Sequence, residues 1–476
     1  MVMTASRNSG RAKRRDGLFS PVVPLERLHP IVALLRDNPG AEPTRLMIEE
    51  VYSACREHLD RNFVEQFQTS GFDARLFELF LFAYLGSIGA KVQRSSERPD
   101  YLVTREGVTV AIEATTANPT QNPGATPKPI VGVDVRALAE EDDSTHVARQ
   151  NDEVPIRLGG SLFSKLKKEY WELPHVRGRP LVFAIAPFYS HDAMLFSSAG
   201  IAQYLYGIRQ TGRHDEHGQL VIETLDVTTH RLKEKSIPSN FFAQPGTDYV
   251  SAVLYTNAST VSKFTRMGYQ AGLHRGNVIV ARRGAAWDPD PNAKEAVEFS
   301  YRLDEDPGEE PWGSGVEIFL NPRARHPLPD RFFDDAIQTE IRDGAPVSFM
   351  PRFSPFASFT QRIFLNLDSL TPVEETSAGV GTILRREFDS FHPQRPPYET
   401  GEIPFSEVAW FADRERKLLG TVLRWHGKEL YGMVVLGRDQ VGEWRAISEG
   451  DDYMTLDDAA NATVARIKEL SGAAST

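Results

Sequence analysis

The sequence predicts an α/β protein: a mixed sheet flanked by helices, followed by a small C-terminal antiparallel α+β module. Three observations predict it. The stretch from Phe72 to Thr116 reads as an apolar helix, a short strand and a hairpin. LVFAIA, from Leu181 to Ala186, is a continuous apolar run bounded by Gly178 and Pro180, the mark of a strand buried on both faces. Four short strand patterns and one helix pattern close the chain between Ile403 and Leu470.

Composition sets the frame. With 476 residues the chain can build two or three domains with real cores. It is 41% hydrophobic and 25% charged, ordinary for a globular protein, with a mean hydropathy of −0.36. No apolar run approaches the roughly 18–20 residues that span a bilayer. The N-terminus carries Arg11, Lys13, Arg14 and Arg15 but no apolar stretch after them, so it does not read as a signal peptide. Cys55 is the only cysteine; it excludes an internal disulfide framework and a cysteine-based zinc site, and suits a reducing cytoplasm. The net charge of −11 means that any nucleic-acid contact must come from locally focused positive charge.

The elements follow in order. Residues 1–20 read as a disordered basic tail. Residues 21–283 read as one α/β domain with its core at 73–187. From Pro24 to Gln68 the apolar spacing is helical, with Leu46, Ile48, Val51, Tyr52 and Leu59 in phase after a capping Thr44. Asp73 is expected to cap a helix that runs to about Ile88 and is apolar nearly all round, hence buried on most sides; Gly86 and Gly89 close it. Lys91 to Arg94 is a short strand. Ser161 opens a helix, SLFSKLKKEYWEL, that stops before Pro174. Further buried strands are expected at Val250–Thr256 and Val278–Ala281. Residues 284–402, rich in Pro, Asp, Glu and Gly, read as an irregular connecting region with one strand near Val297–Tyr301. Residues 403–476 form the closing module.

The chemistry sits in the hairpin. A two-residue turn at Glu106-Gly107 makes Arg105 face Val108, and the antiparallel register then pairs Asp100 with Glu113. Facing residues have Cβ atoms about 4.5–5.5 Å apart, so two carboxylates there repel unless a cation or proton offsets them. Alternation puts Val108, Val110 and Ile112 on one face and Glu113 and Thr115 on the other. Clustered hard oxygens suit Mg²⁺ or Mn²⁺. Glu78 is a third acid, set in the apolar helix turn FELF; either Arg75, three residues earlier, neutralises it or it joins the same site.

A helix with an inward Glu, then a strand, a Pro-Asp strand, a strand ending in Ile-Glu-x-Thr, a helix and a strand resembles the PD-(D/E)xK restriction-endonuclease-like superfamily. Pro99-Asp100 matches the PD element, Glu113 the acidic position and Glu78 the helical glutamate of some members. The resemblance covers about a quarter of the chain, Asp73 to Pro187. It implies a restriction-endonuclease-like sheet, a Mg²⁺-dependent or Mn²⁺-dependent endonuclease, metal held by Glu78, Asp100 and Glu113, and nucleic acid as partner, DNA ahead of RNA. Bacterial defence or mobile-element biology is the context it suggests. The motif lysine is replaced by Thr115. Lys165 in the next helix flanks the apolar stripe of Leu162, Leu166, Tyr170 and Leu173, and is the first candidate to supply the missing amine, with Lys168 second. A catalytically inactive nuclease fold serving as a binding scaffold is the alternative, favoured by Thr115 and the acidic net charge. The oligomeric state is left open, a homodimer included.

Other signals read more blandly. His214 and His217 have zinc-like spacing but no partner pair, and suit a solvated loop. His191 and Asp192 suit a loop after the LVFAIA strand. Ser262, Lys263 and Arg266, with Phe264 and Tyr269, suit either phosphate contact or an ordinary amphipathic helix. Trp410, Trp425 and Trp444 read as core of the closing module.

Overall fold

A computed structural model describes residues 17–93, 98–119, 143–190, 193–274, 278–290, 292–293, 296–303, 310–364, 405–413, 418–425, 431–438, 444–453 and 456–473. The N-terminal part is helical: α1 (Pro30–Asp37), α2 (Glu42–Cys55), α3 (Phe63–Phe67) and α4 (Phe72–Ser87). Then come β1 (Lys91–Gln93), β2 (Tyr101–Arg105) and β3 (Val108–Ala117), α5 (Asp143–Ala148), α6 (Val154–Leu166), β4 (Leu181–Pro187) and α7 (Ala199–Tyr206). Two hairpins follow, β5 (Ile208–His214) with β6 (Leu220–Asp226) and β7 (Thr229–Leu232) with β8 (Lys235–Pro238). After them lie β9 (Ala252–Thr256), α8 (Val261–Gln270), β10 (Val278–Ala286), β11 (Val297–Arg302) and β12 (Val316–Leu320). Then come β13 (Ile337–Arg342), β14 (Ala345–Phe349) and β15 (Pro355–Phe364). The closing module is β16 (Phe405–Asp413), β17 (Leu418–Trp425), β18 (Tyr431–Arg438), β19 (Trp444–Tyr453) and α9 (Leu456–Ala473).

An eight-stranded mixed sheet organises the chain, in the order β1-β2-β3-β4-β9-β12-β13-β14. Strands β3, β4 and β9 are parallel, and β2–β3 is the antiparallel hairpin. Strand β4 is buried at every position because helices cover both faces. Val182, Ala184 and Ala186 join the core beneath α4, while Leu181, Phe183 and Ile185 join the core beneath α6 and α7. The same two-faced burial explains its unbroken apolar sequence. A separate antiparallel sheet, β11-β10-β15, lies alongside α8, and β16-β17-β18-β19 form a four-stranded antiparallel sheet against which α9 packs.

Several expectations need correction. The region 284–402 is not irregular over its described residues: β12 and β13–β14 extend the main sheet well past residue 283. Pro and acidic residues crowd the connection between β12 and β13, and VEIFL, with Glu317 inside it, still carries a buried strand. Leu18 and Phe19 are buried in the main core, so the packed chain begins before residue 21. Asp73 does not cap α4; Gly71 stands at the N-cap, without a side-chain hydrogen bond. Instead Asp73 lies in the first turn, and burial pushes its carboxyl up to about 6. The helix expected to open at Ser161 starts seven residues earlier, at Val154, and ends at Leu166. Glu169 adopts a left-handed conformation, φ 49°, and turns the chain into a short 3₁₀ segment at Tyr170–Glu172. His191 and Asp192, and the side chains of Trp410, Trp425 and Trp444, lie outside the described residues. No described helix is long and apolar enough to cross a membrane.

Candidate metal centre

The hairpin turn falls at Glu106-Gly107, both with positive φ (51° and 81°), the geometry of a tight two-residue turn. Tyr101 pairs with Ile112 and Arg105 with Val108, so one further step of the register sets Asp100 opposite Glu113. This is the arrangement expected from the sequence. Val110 and Ile112 face α4, and Ala111, Glu113 and Thr115 face α6.

Glu113 is buried, at 5% exposure. Its Oε1 accepts two hydrogen bonds, from Lys165 Nζ and from the Tyr170 hydroxyl, both 2.6 Å. Its Oε2 is buried and has no hydrogen-bond partner among the described residues. A buried carboxylate oxygen left so is costly, of order 1–3 kcal/mol. Asp100 Oδ2 accepts from the Ala114 amide at 2.8 Å. Burial is the main cause that pushes the Asp100 carboxyl up to about 7; the charges of Glu113 and Glu78 add to it, and the Ala114 amide and Lys165 oppose it. Two acids facing each other across the hairpin have thus been drawn largely out of water.

Glu78 comes from α4, on the other face of the sheet. Its carboxylate is 2.6 Å from Arg75 Nη1, the i−3 pair considered from sequence. The Tyr101 hydroxyl donates to its backbone carbonyl at 3.0 Å. Glu78 is thus tied to the hairpin and close enough for its charge to act on Asp100, while engaged by an arginine. Among the described residues no group of three or more His, Cys, Asp or Glu side chains could hold a metal ion. The strands bring Asp100 and Glu113 together, and the charges of both Glu113 and Glu78 act on Asp100.

Lys165 reaches over the sheet from α6 as the sequence reading required. Thr115 and Lys165 share a wall of one cleft of about 380 Å³ beside Glu113. Lys168 lines that cleft too, exposed and without contact to Glu113. Tyr170 is the residue that sequence reasoning missed. Helix periodicity alone places it in the apolar stripe of a continuous helix. The break at Glu169 instead turns it inward, and burial with the adjacent Glu113 raises its phenol well above the ordinary value, so it is a fixed donor. No glycine or proline at positions 167–169 signals that break.

The remaining candidates separate from this site. His214 and His217 are on or beside the exposed β5–β6 hairpin, with His217 against Glu216. Lys263 and Arg266 do not offer phosphate contacts: both are buried, at 0% and 3%, and both bind Glu310.

Compared with protein-family models, with curated proteins and with solved structures, the chain matches none.

Proposed function

We propose that the chain is a metal-dependent phosphodiester hydrolase of restriction-endonuclease-like fold, with Asp100, Glu113 and Lys165 at its centre and nucleic acid, DNA ahead of RNA, as substrate. The observation that supports this reading is Glu113: one carboxylate oxygen is held by an ammonium and a phenol, the other is buried without a hydrogen-bond partner among the described residues, and a second acid beside it is raised mainly by burial. The donor set fits Mg²⁺ or Mn²⁺, which need only one or two carboxylates, with water and substrate oxygens completing the shell. Bound there, such an ion would lower the pKa of a water and offset charge on the phosphate. Asp100 and Glu113 would hold it. Tyr170 keeps Glu113 in one rotamer. Lys165 supplies positive charge next to the position where a phosphate oxygen would become more negative, the role left open by Thr115. Glu78, held by Arg75, acts on Asp100 through its charge.

One observation favours a non-catalytic nucleic-acid-binding scaffold instead: the Lys165 ammonium is already engaged with Glu113 at 2.6 Å, so its amine is spent on holding the acid. One experiment separates the two. Purified protein is incubated with plasmid, single-stranded DNA and RNA, with and without Mn²⁺ or Mg²⁺, beside Glu113→Ala. Metal-dependent cleavage reduced by at least ~100-fold in the variant, the scale of losing a key electrostatic group, supports the hydrolase. No cleavage of any substrate, with no heat of Mn²⁺ binding by calorimetry, leaves the scaffold.

A further inference from the structure

We infer that Lys168 and Lys235 form a phosphate subsite for a single polynucleotide strand, lying along α6 next to the Glu113–Lys165 centre. The inference rests on the nucleic-acid reading of that centre and names the form of its substrate. It starts from the cleft. The walls carry Arg157, Lys165, Lys168 and Lys235, and among the described residues no Asp or Glu lines it. In a chain of net charge −11 this is a local concentration of positive charge, the feature that composition demanded of a nucleic-acid binder.

Two of the four cations are already compensated. Lys165 is held by Glu113, and Arg157 Nη2 stands 3.5 Å from Glu153. Lys168 and Lys235 are exposed, and neither makes an ion pair or side-chain hydrogen bond among the described residues. They come from different elements, Lys168 from the turn after α6 and Lys235 from the β7–β8 hairpin. That hairpin is firmly seated. His230 is fully buried, bridging the Asn151 carbonyl at 2.8 Å and the Ser239 hydroxyl at 2.9 Å. The Arg231 amide donates to Asp152 at 3.0 Å. Gly159 has no side chain, which is what lets Ile237 and Tyr204 approach the helix; a Cβ there would meet them at 2.9 and 2.6 Å. The Lys235 ammonium accordingly reaches across to α6, 3.4 Å from where a Cβ on Gly160 would stand. Two ammonium groups without an ion-pair partner among the described residues are thus presented to one cleft, whose lining also includes Ser161 and Ser164.

Size and lining select the ligand. About 380 Å³ is at the low end of small-ligand pockets, a size that suits one strand between helix and hairpin better than a whole duplex. Among the described residues no aromatic side chain lines the cleft, so none of them offers a base a stacking surface there. Contact is to the backbone, and binding is indifferent to sequence.

Binding of fluorescently labelled short oligonucleotides is measured in EDTA, where metal-dependent cleavage is silent, across a salt series. The arms are single-stranded DNA, single-stranded RNA and duplex DNA, with inorganic phosphate as competitor. The proteins are wild type, Lys168→Ala/Lys235→Ala and Lys167→Ala, the last removing an adjacent charge outside the cleft; thermal melts check that each is folded. The double variant is expected to bind single strands about 10-fold more weakly. Its salt slope should fall by about 1.4, two contacts at ~0.7 each. Lys167→Ala should bind as wild type. The inference is overturned if the double variant keeps wild-type affinity and slope, if duplex binds more tightly than single strands, or if inorganic phosphate competes as well as an oligonucleotide. Loss of binding in the double variant of a protein that never cleaves would sink the hydrolase while leaving this subsite; cleavage unchanged in the double variant would do the reverse.

Discussion

Two buried charge clusters in this chain look alike in composition and differ in completeness. In the first, Glu113 meets Lys165 and Tyr170 under α6, with Asp100 alongside. In the second, Glu310 meets Lys263, Arg266 and Arg282 at 2.7, 2.7 and 3.4 Å between α8 and the β11-β10-β15 sheet. Burial alone would raise Glu310, but the surrounding charges of Arg266, Lys263 and Arg282 outweigh it and hold the carboxyl well below its usual range. Asp100 is displaced the other way, up to about 7. Both Glu310 oxygens are engaged, whereas Glu113 Oε2 has no hydrogen-bond partner among the described residues. A cluster with surplus cations around a saturated acid pins elements together. The Glu113 cluster, beside a cleft and with one oxygen without a hydrogen-bond partner among the described residues, is the one on which the proposed hydrolase reading rests.

The largest effect is expected from breaking the saturated cluster. Glu310→Gln leaves Lys263, Arg266 and Arg282 buried without their counter-charge, and should cost about 3–5 kcal/mol in urea unfolding. Glu113→Gln should cost far less. Lys165, with 18% of its side chain exposed, can swing into the cleft when released. If Glu310→Gln proved the milder of the two, the contrast between a structural and a functional cluster would collapse.

The second effect is a pH dependence of opposite sign in the two places. Glu310 has its folded value below the unfolded one, so it contributes stability above pH ~4.5 that is lost as pH falls through the folded value. Asp100 has its folded value, about 7, above the unfolded 3.8. It favours the folded state fully below pH ~4, and that contribution is lost as pH rises through 7. Asp100→Asn mimics the protonated acid. In EDTA it should flatten the decline of unfolding free energy between pH 4 and 8 and raise stability at pH 8, by on the order of 2 kcal/mol. Equal slopes for wild type and variant would show that Asp100 ionises without strain, and the case for an incomplete site would lose one of its two supports.

How much of this was legible in sequence follows from what each feature depends on. The facing of Asp100 and Glu113 depends only on a two-residue turn and on the period of a strand, both local, and the register came out as read. LVFAIA declared a central strand because two-sided burial leaves no polar position. Lys165 was placed by helix periodicity, which needs only its own helix. Beyond that range, inference failed for identifiable reasons. Strands β12 to β14 were hidden because their turns are rich in proline and acid, and the partner of β12 is β9, some sixty residues upstream. Lys263 and Arg266 read equally well as phosphate contacts or as part of an amphipathic helix because their counter-ion, Glu310, lies more than forty residues away. Tyr170 was misassigned because the left-handed turn at Glu169 is made without glycine.

The smallest effect sharpens the comparison most, because it touches one oxygen. Tyr170→Phe removes a donor from Glu113 Oε1 and leaves Lys165 in place. A hydrogen bond to a charged acceptor is worth roughly 1.5–3 kcal/mol, and the remaining ammonium should keep the loss near the lower figure. The variant frees Glu113 to rotate, so a merely stabilising role and a positioning role diverge. If Tyr170 only stabilises the fold, urea unfolding moves and Mn²⁺ affinity does not. If it holds Oε2 toward the cleft, Mn²⁺ binding by calorimetry weakens several-fold while Tyr204→Phe, a buried tyrosine of the same core away from Glu113, leaves it unchanged. Unaltered Mn²⁺ affinity in Tyr170→Phe would make this tyrosine an equivalent of Arg266 in the other cluster, a clamp on a buried acid, with Lys165 alone orienting the carboxylate.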